Sequence, residues 1–146
     1  MTATAQQATQ AVTIIVEEVN TLSVEADVSV ALPAAPGHPT STSDVAPTAN
    51  YAFSTSGYGK KITGELGAGS TPDLELGVAL AAPTASGASA GPRILGQSGA
   101  VDLVTGISRV TQRGLGVRYT VSPMDDDAPA LEYGATNTVT FTMTDR

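Results

Sequence analysis

The closing stretch Thr136-Asn-Thr-Val-Thr-Phe-Thr-Met-Thr-Asp-Arg146 decides the fold class. Successive side chains of an extended chain point to opposite faces. Thr136, Thr138, Thr140, Thr142 and Thr144 therefore share one face, and Asn137, Val139, Phe141 and Met143 the other. A period of two, with β-branched residues on the polar side, predicts a strand with a wet threonine face and an apolar face turned to a core.

The same alternation recurs toward the N-terminus. Leu22, Val24, Ala26, Val28, Val30 and Leu32 alternate with small or charged residues. Leu74, Leu76, Val78 and Leu80 alternate within 73–81, as do Leu115, Val117, Tyr119 and Val121 with Gly116, Arg118, Thr120 and Ser122. Val12, Ile14 and Val16 share one face of the run Ala11–Val19. Short strands are predicted over Ala100–Val104 and Ile107–Gln112. Tyr51–Ser56 and Lys60–Leu66 read as the two strands of a hairpin around Gly57-Tyr58-Gly59. Pro33–Asn50, with Pro33, Pro36, Pro39 and Pro47, and the Ala/Gly/Ser-rich Pro83–Gly99 read as long loops, because proline cannot serve a central ladder. Asp125–Pro129 reads as a turn.

These segments predict about eight or nine strands and no helix. The expected fold is all-β and antiparallel, with the pattern of a sandwich or a barrel. The expected core is Leu22, Val24, Val28, Val30, Leu74, Leu76, Val78, Leu115, Val117, Tyr119, Val139 and Phe141. Residues 1–10 form an N-terminal extension of small and polar residues, and residues 11–146 one sandwich domain.

Composition fits this reading. The 146 residues are 41% apolar, enough for one core. With two Phe, four Tyr and no Trp, that core is filled mainly by aliphatic side chains. A net charge of -7 argues against nucleic acid, whose phosphates require a basic surface, and against an anionic membrane surface. No cysteine is present, so neither disulfide nor thiolate chemistry enters. No apolar run approaches the roughly 20 residues of a membrane span. Met1–Ala8 lacks the charged and apolar regions of a signal peptide; the expectation is either a cytoplasmic protein or, preferred on the resemblance given below, an exported one whose signal has already been removed, located outside the cell or on its surface.

Candidate chemistry is sparse. His38, in Pro36-Gly-His-Pro39, is the only histidine and has no neighbouring acid; it reads as a surface residue. Asp125-Asp126-Asp127 offers carboxylates to calcium, but consecutive acids without the alternating ligand spacing read as a solvated turn. Glu17 and Glu18 are adjacent and point to opposite faces of a strand, a poor geometry for acid/base work. Gly57-Tyr-Gly-Lys-Lys61 lacks the spacing of a phosphate loop. An isopeptide crosslink from Lys60 or Lys61 requires a buried lysine beside an acid, and none is expected. No nucleophile elbow is expected either, since the serines lack a positioned base. The chain reads as a non-enzyme with no cofactor and no metal.

The order of the segments resembles secreted bacterial all-β proteins of the pilin-like, biofilm-fibre or spore-coat type. The resemblance rests on the Ala-Thr-Gln leader followed by Val12–Val16, on Lys60-Lys-Ile-Thr-Gly64, Leu76–Thr84, Val101–Ile107 and the closing Thr-rich strand. It covers most of the chain as a general likeness. It implies an exported, immunoglobulin-like antiparallel sandwich, with a jelly-roll arrangement as a variant, built into fibres in which a terminal segment of one subunit completes the sheet of the next. The donated segment is then expected to present Ala8, Val12, Ile14 and Val16, and the partners are copies of the same chain. The alternative is a monomeric secreted sandwich that binds a surface glycan or a protein through the loops 33–50 and 83–99.

Overall fold

The computed structural model describes residues 5–25, 43–67, 74–96, 99–123 and 137–146. Among them are nine strands: β1 (Asn20–Val24), β2 (Ser43–Thr55), β3 (Lys60–Leu66), β4 (Leu74–Leu80), β5 (Ala88–Ser89), β6 (Arg93–Leu95), β7 (Val101–Ile107), β8 (Val110–Pro123) and β9 (Val139–Asp145). They form two sheets, ordered β1-β2-β8-β4-β6 and β5-β7-β3-β9. Every pairing is antiparallel. The sheets pack face to face, so the fold is the expected all-β sandwich.

The core lies between the sheets. Tyr51 and Phe53 of β2, Leu115 and Val117 of β8, and Val78 and Leu80 of β4 face Ile62 of β3 and Leu103, Val104 and Ile107 of β7. The alternation in β4 and β8 was legible, and Val78, Leu115 and Val117 are buried as expected. Leu22, Leu76, Tyr119, Val139 and Phe141 pack against the core but are only part-buried. Val24 is a correction: it is 39% exposed at the last residue of an edge strand, where only one neighbour covers it. Val28 and Val30, like His38 and Asp125–Asp127, lie outside the described residues, as does the side chain of Leu74.

Three expectations about connections are overturned. Tyr51–Ser56 and Lys60–Leu66 are not a hairpin: β2 pairs with β1 and β8, whereas β3 pairs with β7 and β9 in the other sheet. Both strands turn apolar faces to one core, and the Gly57–Gly59 link carries the chain across it. The loop 33–50 gives way at Ser43, where β2 begins. Pro47 is tolerated because the register of β2 on β8 slips between Val45 and Ala49 and β1 reaches only as far as Tyr51; proline enters sheets at such irregularities. The loop 83–99 contains β5 and β6, one added to each sheet.

The most consequential irregularity is in β7. Its pairing on β3 slips on both sides of Ile62. The bulges turn Leu103 and Val104, consecutive in sequence, into the core together, both fully buried. Gly106 has φ 72°, a left-handed conformation that a side chain disfavours, and it returns Ile107 to the core face.

Candidate functional site

Residues 5–19 precede the first strand and take part in no sheet. The segment without pairing therefore reaches Val19, beyond the ten-residue extension expected, and Val12–Val16 is not a strand of its own domain. Along this arm Val12, Ile14, Ile15 and Val16 are 75–85% exposed. The chain from Ala5 to Val16 carries no charge, no proline and no glycine. Ala8, Val12, Ile14 and Val16, the expected donor residues, thus lie together on one unpaired and solvent-facing segment.

The arm is tied down where it enters the domain. Val19 N–H donates to Ser56 Oγ (2.9 Å), and Ser56 N–H donates to the Val19 carbonyl (3.0 Å). Asn20 Nδ2 donates to Glu18 Oε1 (2.7 Å), and its own side-chain oxygen accepts from Thr55 Oγ1. Behind these bonds lies an ion-pair cluster. The Lys60 side chain, 7% exposed at the start of β3, reaches Glu18 of the arm and Asp145 at the end of β9. A buried ammonium is tolerated when it is paired, and here two carboxylates share it. Gly57 makes room: a Cβ there would lie 2.6 Å from the Glu18 carboxylate.

The hydrogen bond from Lys60, then that from Asn20, holds the Glu18 carboxyl below its ordinary value of 4.5. The bonds to Asp145 and then Glu18 hold Lys60 above 10.5. A depressed carboxyl contributes stability above its ordinary pKa and loses it as pH falls through the lower folded value. A raised lysine contributes fully below 10.5 and loses its contribution as pH rises through the higher folded value. The clamp is therefore intact between these limits and opens first in acid. In a carboxyl-carbon NMR titration, Glu18 is expected to titrate below the normal glutamate range and to return to it in Lys60→Met. An unchanged Glu18 midpoint in that variant would show that Lys60 does not hold the arm.

This cluster meets the condition for an isopeptide bond, a buried lysine beside an acid. Its electrostatics oppose the reaction. Amide formation needs a neutral amine, and the carboxylates keep Lys60 protonated. Asp145 is also 83% exposed, where water competes for an activated carboxyl. Lys61 pairs with Asp102 at 3.1 Å. The arrangement is an ion-pair clamp.

The expectation that no Gly-x-Ser-x-Gly elbow is present needs one correction. Gly87-Ala-Ser-Ala-Gly91 has the spacing of a Gly-x-Ser-x-Gly elbow. Ser89 nevertheless sits in the two-residue strand β5, donates to the Leu80 carbonyl (2.6 Å) and accepts from Gly91 N–H (3.1 Å). No helix follows to expose it, so the serine fastens β5 against β4. Among the described residues no three potential metal ligands cluster, and no helix is long and apolar enough to cross a membrane. Tyr51 donates its hydroxyl to the Ala81 carbonyl, and burial pushes its pKa up to about 12, as for a core tyrosine. Comparison of the chain with family models, curated proteins and solved structures gives no match.

The two margins of the sandwich differ. At one, β5 and β6 cover the core, and Leu95, Leu103 and Ile107 are buried. At the other, β1 and β9 are the terminal strands of their sheets and approach each other. There Leu22, Val139, Phe141 and Met143 remain only part-buried. The Glu18–Lys60–Asp145 clamp places the root of the arm at this margin.

Proposed function

We propose that the protein is a structural subunit that assembles with copies of itself into an extracellular filament, using its N-terminal arm as the linking strand. The observation that supports this most directly is the arm itself, uncharged from Ala5 to Val16, whose largest apolar side chains stand in solvent. Isolated surface apolar residues are ordinary, but a contiguous apolar run on an extended, unpaired chain favours association. A strand added to another subunit gains main-chain hydrogen bonds along with burial. A head-to-tail contact that does not close on itself propagates a fibre. The resemblance to secreted fibre subunits points the same way, and an acidic, cysteine-free chain suits an exposed assembly.

The full-length chain is expected to sediment as species that grow with concentration, and deletion of residues 2–16 to leave a folded subunit that does not polymerise. The deletion spares Glu18 and the Lys60 clamp, so the fold can be checked by circular dichroism. A full-length chain that stays near 14.7 kDa at high concentration would overturn the proposal. It would leave the monomeric, ligand-binding sandwich as the better reading.

A further inference from the structure

We infer that the free edge of β9 is the acceptor for the arm, and that its occupant is the Val12–Val16 segment of a second copy of this chain. The inference rests on the filament reading and deepens it by naming the receiving surface. Among the described residues four strands end the two sheets: β1, β6, β5 and β9. β5 and β6 have two and three residues, too short to template a strand. β1 has five, and its inward side chains include the exposed Val24. β9 has seven residues and pairs with β3 from Lys60↔Asp145 to Leu66↔Val139 without a register shift.

Proteins usually block such an edge with proline, lysine, a bulge or a covering segment. β9, Val139-Thr-Phe-Thr-Met-Thr-Asp145, contains no proline or lysine, has no bulge against β3, and carries its one charge at its last position. Its inward residues Val139, Phe141 and Met143 border the incompletely covered margin of the core. A strand beside β9 with apolar residues at alternate positions would continue that inner face. Val12, Ile14 and Val16 supply this pattern, while Thr13 would fall on the outer face with Thr140 and Thr142.

The choice of a second copy follows from what the arm does in its own molecule. Glu18 is held at the Asp145 end of β9, so the arm starts beside the open margin. Its apolar residues are nonetheless 75–85% exposed, and among the described residues β9 has no second neighbour. Among the described residues nothing fills either the arm's apolar face or the margin, and exchange between copies fills both.

The chain has no cysteine, so introduced thiols report only on the sites chosen. Thr13→Cys protein is mixed in turn with Thr138→Cys, Thr140→Cys and Thr142→Cys protein and oxidised at a concentration where the parent assembles. A disulfide-linked pair of unlike copies is expected with at least one of the three, and its loss is expected when residues 2–12 are removed from the Thr13→Cys copy. A second variant, Thr140→Lys combined with Thr142→Lys, charges the edge while leaving the core face intact. It should lose assembly and keep the thermal unfolding of the isolated subunit. Assembly that persists in this edge variant and yields no mixed disulfide, yet disappears on deleting the arm, would overturn β9 as acceptor and leave the filament reading standing. A disulfide formed within single chains carrying both cysteines, at monomer mass, would show that each arm covers its own β9. A parent that never associates would defeat the filament reading itself, and this inference with it.

Discussion

Ile62→Ala is expected to destabilise the subunit by about 2–5 kcal/mol, the range for removing a large aliphatic side chain from a packed core. Ile62 is fully buried in β3, between β7 on one side and β9 on the other. Val104 is paired with Ile62 and with Ser89, and the Leu103 carbonyl accepts from Ala90 N–H (2.8 Å), so neither neighbour can collapse freely into the space left. The sequence pointed instead to Phe141, in the Thr-rich strand. Phe141 is only part-buried because it lies on the edge strand β9, so Phe141→Ala should fall below the roughly 3–5 kcal/mol of a fully buried phenylalanine in the isolated subunit. Chemical denaturation of both variants, in the background lacking residues 2–16, tests the ordering. A larger loss for Phe141→Ala than for Ile62→Ala would mean that the core is centred on β9.

Ile14→Asp is expected to weaken assembly by about a hundredfold or more while leaving the subunit's own stability unchanged. Full burial of an isoleucine is worth roughly 1.5–3 kcal/mol, and placing an unpaired carboxylate in the same apolar site adds several more. At about 1.4 kcal/mol per tenfold change, the combined loss exceeds two orders of magnitude. In the free subunit Ile14 is 81% exposed, so the substitution removes no contact that the fold needs. Sedimentation velocity across a concentration series reads the first effect and thermal unfolding of dilute protein the second. Ile15→Asp on the opposite face is the control and should weaken assembly less. Equal effects at both positions would mean that the arm associates without a fixed face.

The strands and their inward faces were legible wherever the chain follows strict alternation. β4, β8 and β9 could be read because one regular face meets the core: Val78, Leu115 and Val117 were identified by period alone. The alternating apolar run Val12–Val16 was legible as a pattern, but its exposure was not: it was expected within the sandwich domain, and the structure leaves it outside both sheets. Reading failed where the backbone departs from period two. Leu103 and Val104 occupy one face only because bulges in β7 interrupt the alternation, and Pro47 lies in a strand only because the ladder slips around it.

Sheet membership was beyond the sequence for a related reason. Tyr51–Ser56 and Lys60–Leu66 have the local signature of a hairpin, and local signals cannot distinguish a turn within a sheet from a crossing between sheets. That choice depends on pairing with β8 and β9, distant in the chain. The clamp is the clearest case. Glu18, Lys60 and Asp145 are separated by most of the sequence, and each alone looks like an ordinary surface charge. Folding buries the lysine and sets both acids against it. The sequence by itself thus determined an all-β chain with an apolar run, Val12–Val16, near its N-terminus. The tertiary structure alone decided which strands share a sheet, which margin stays open and where the arm is rooted, because these rest on long-range pairings that residue order does not encode locally.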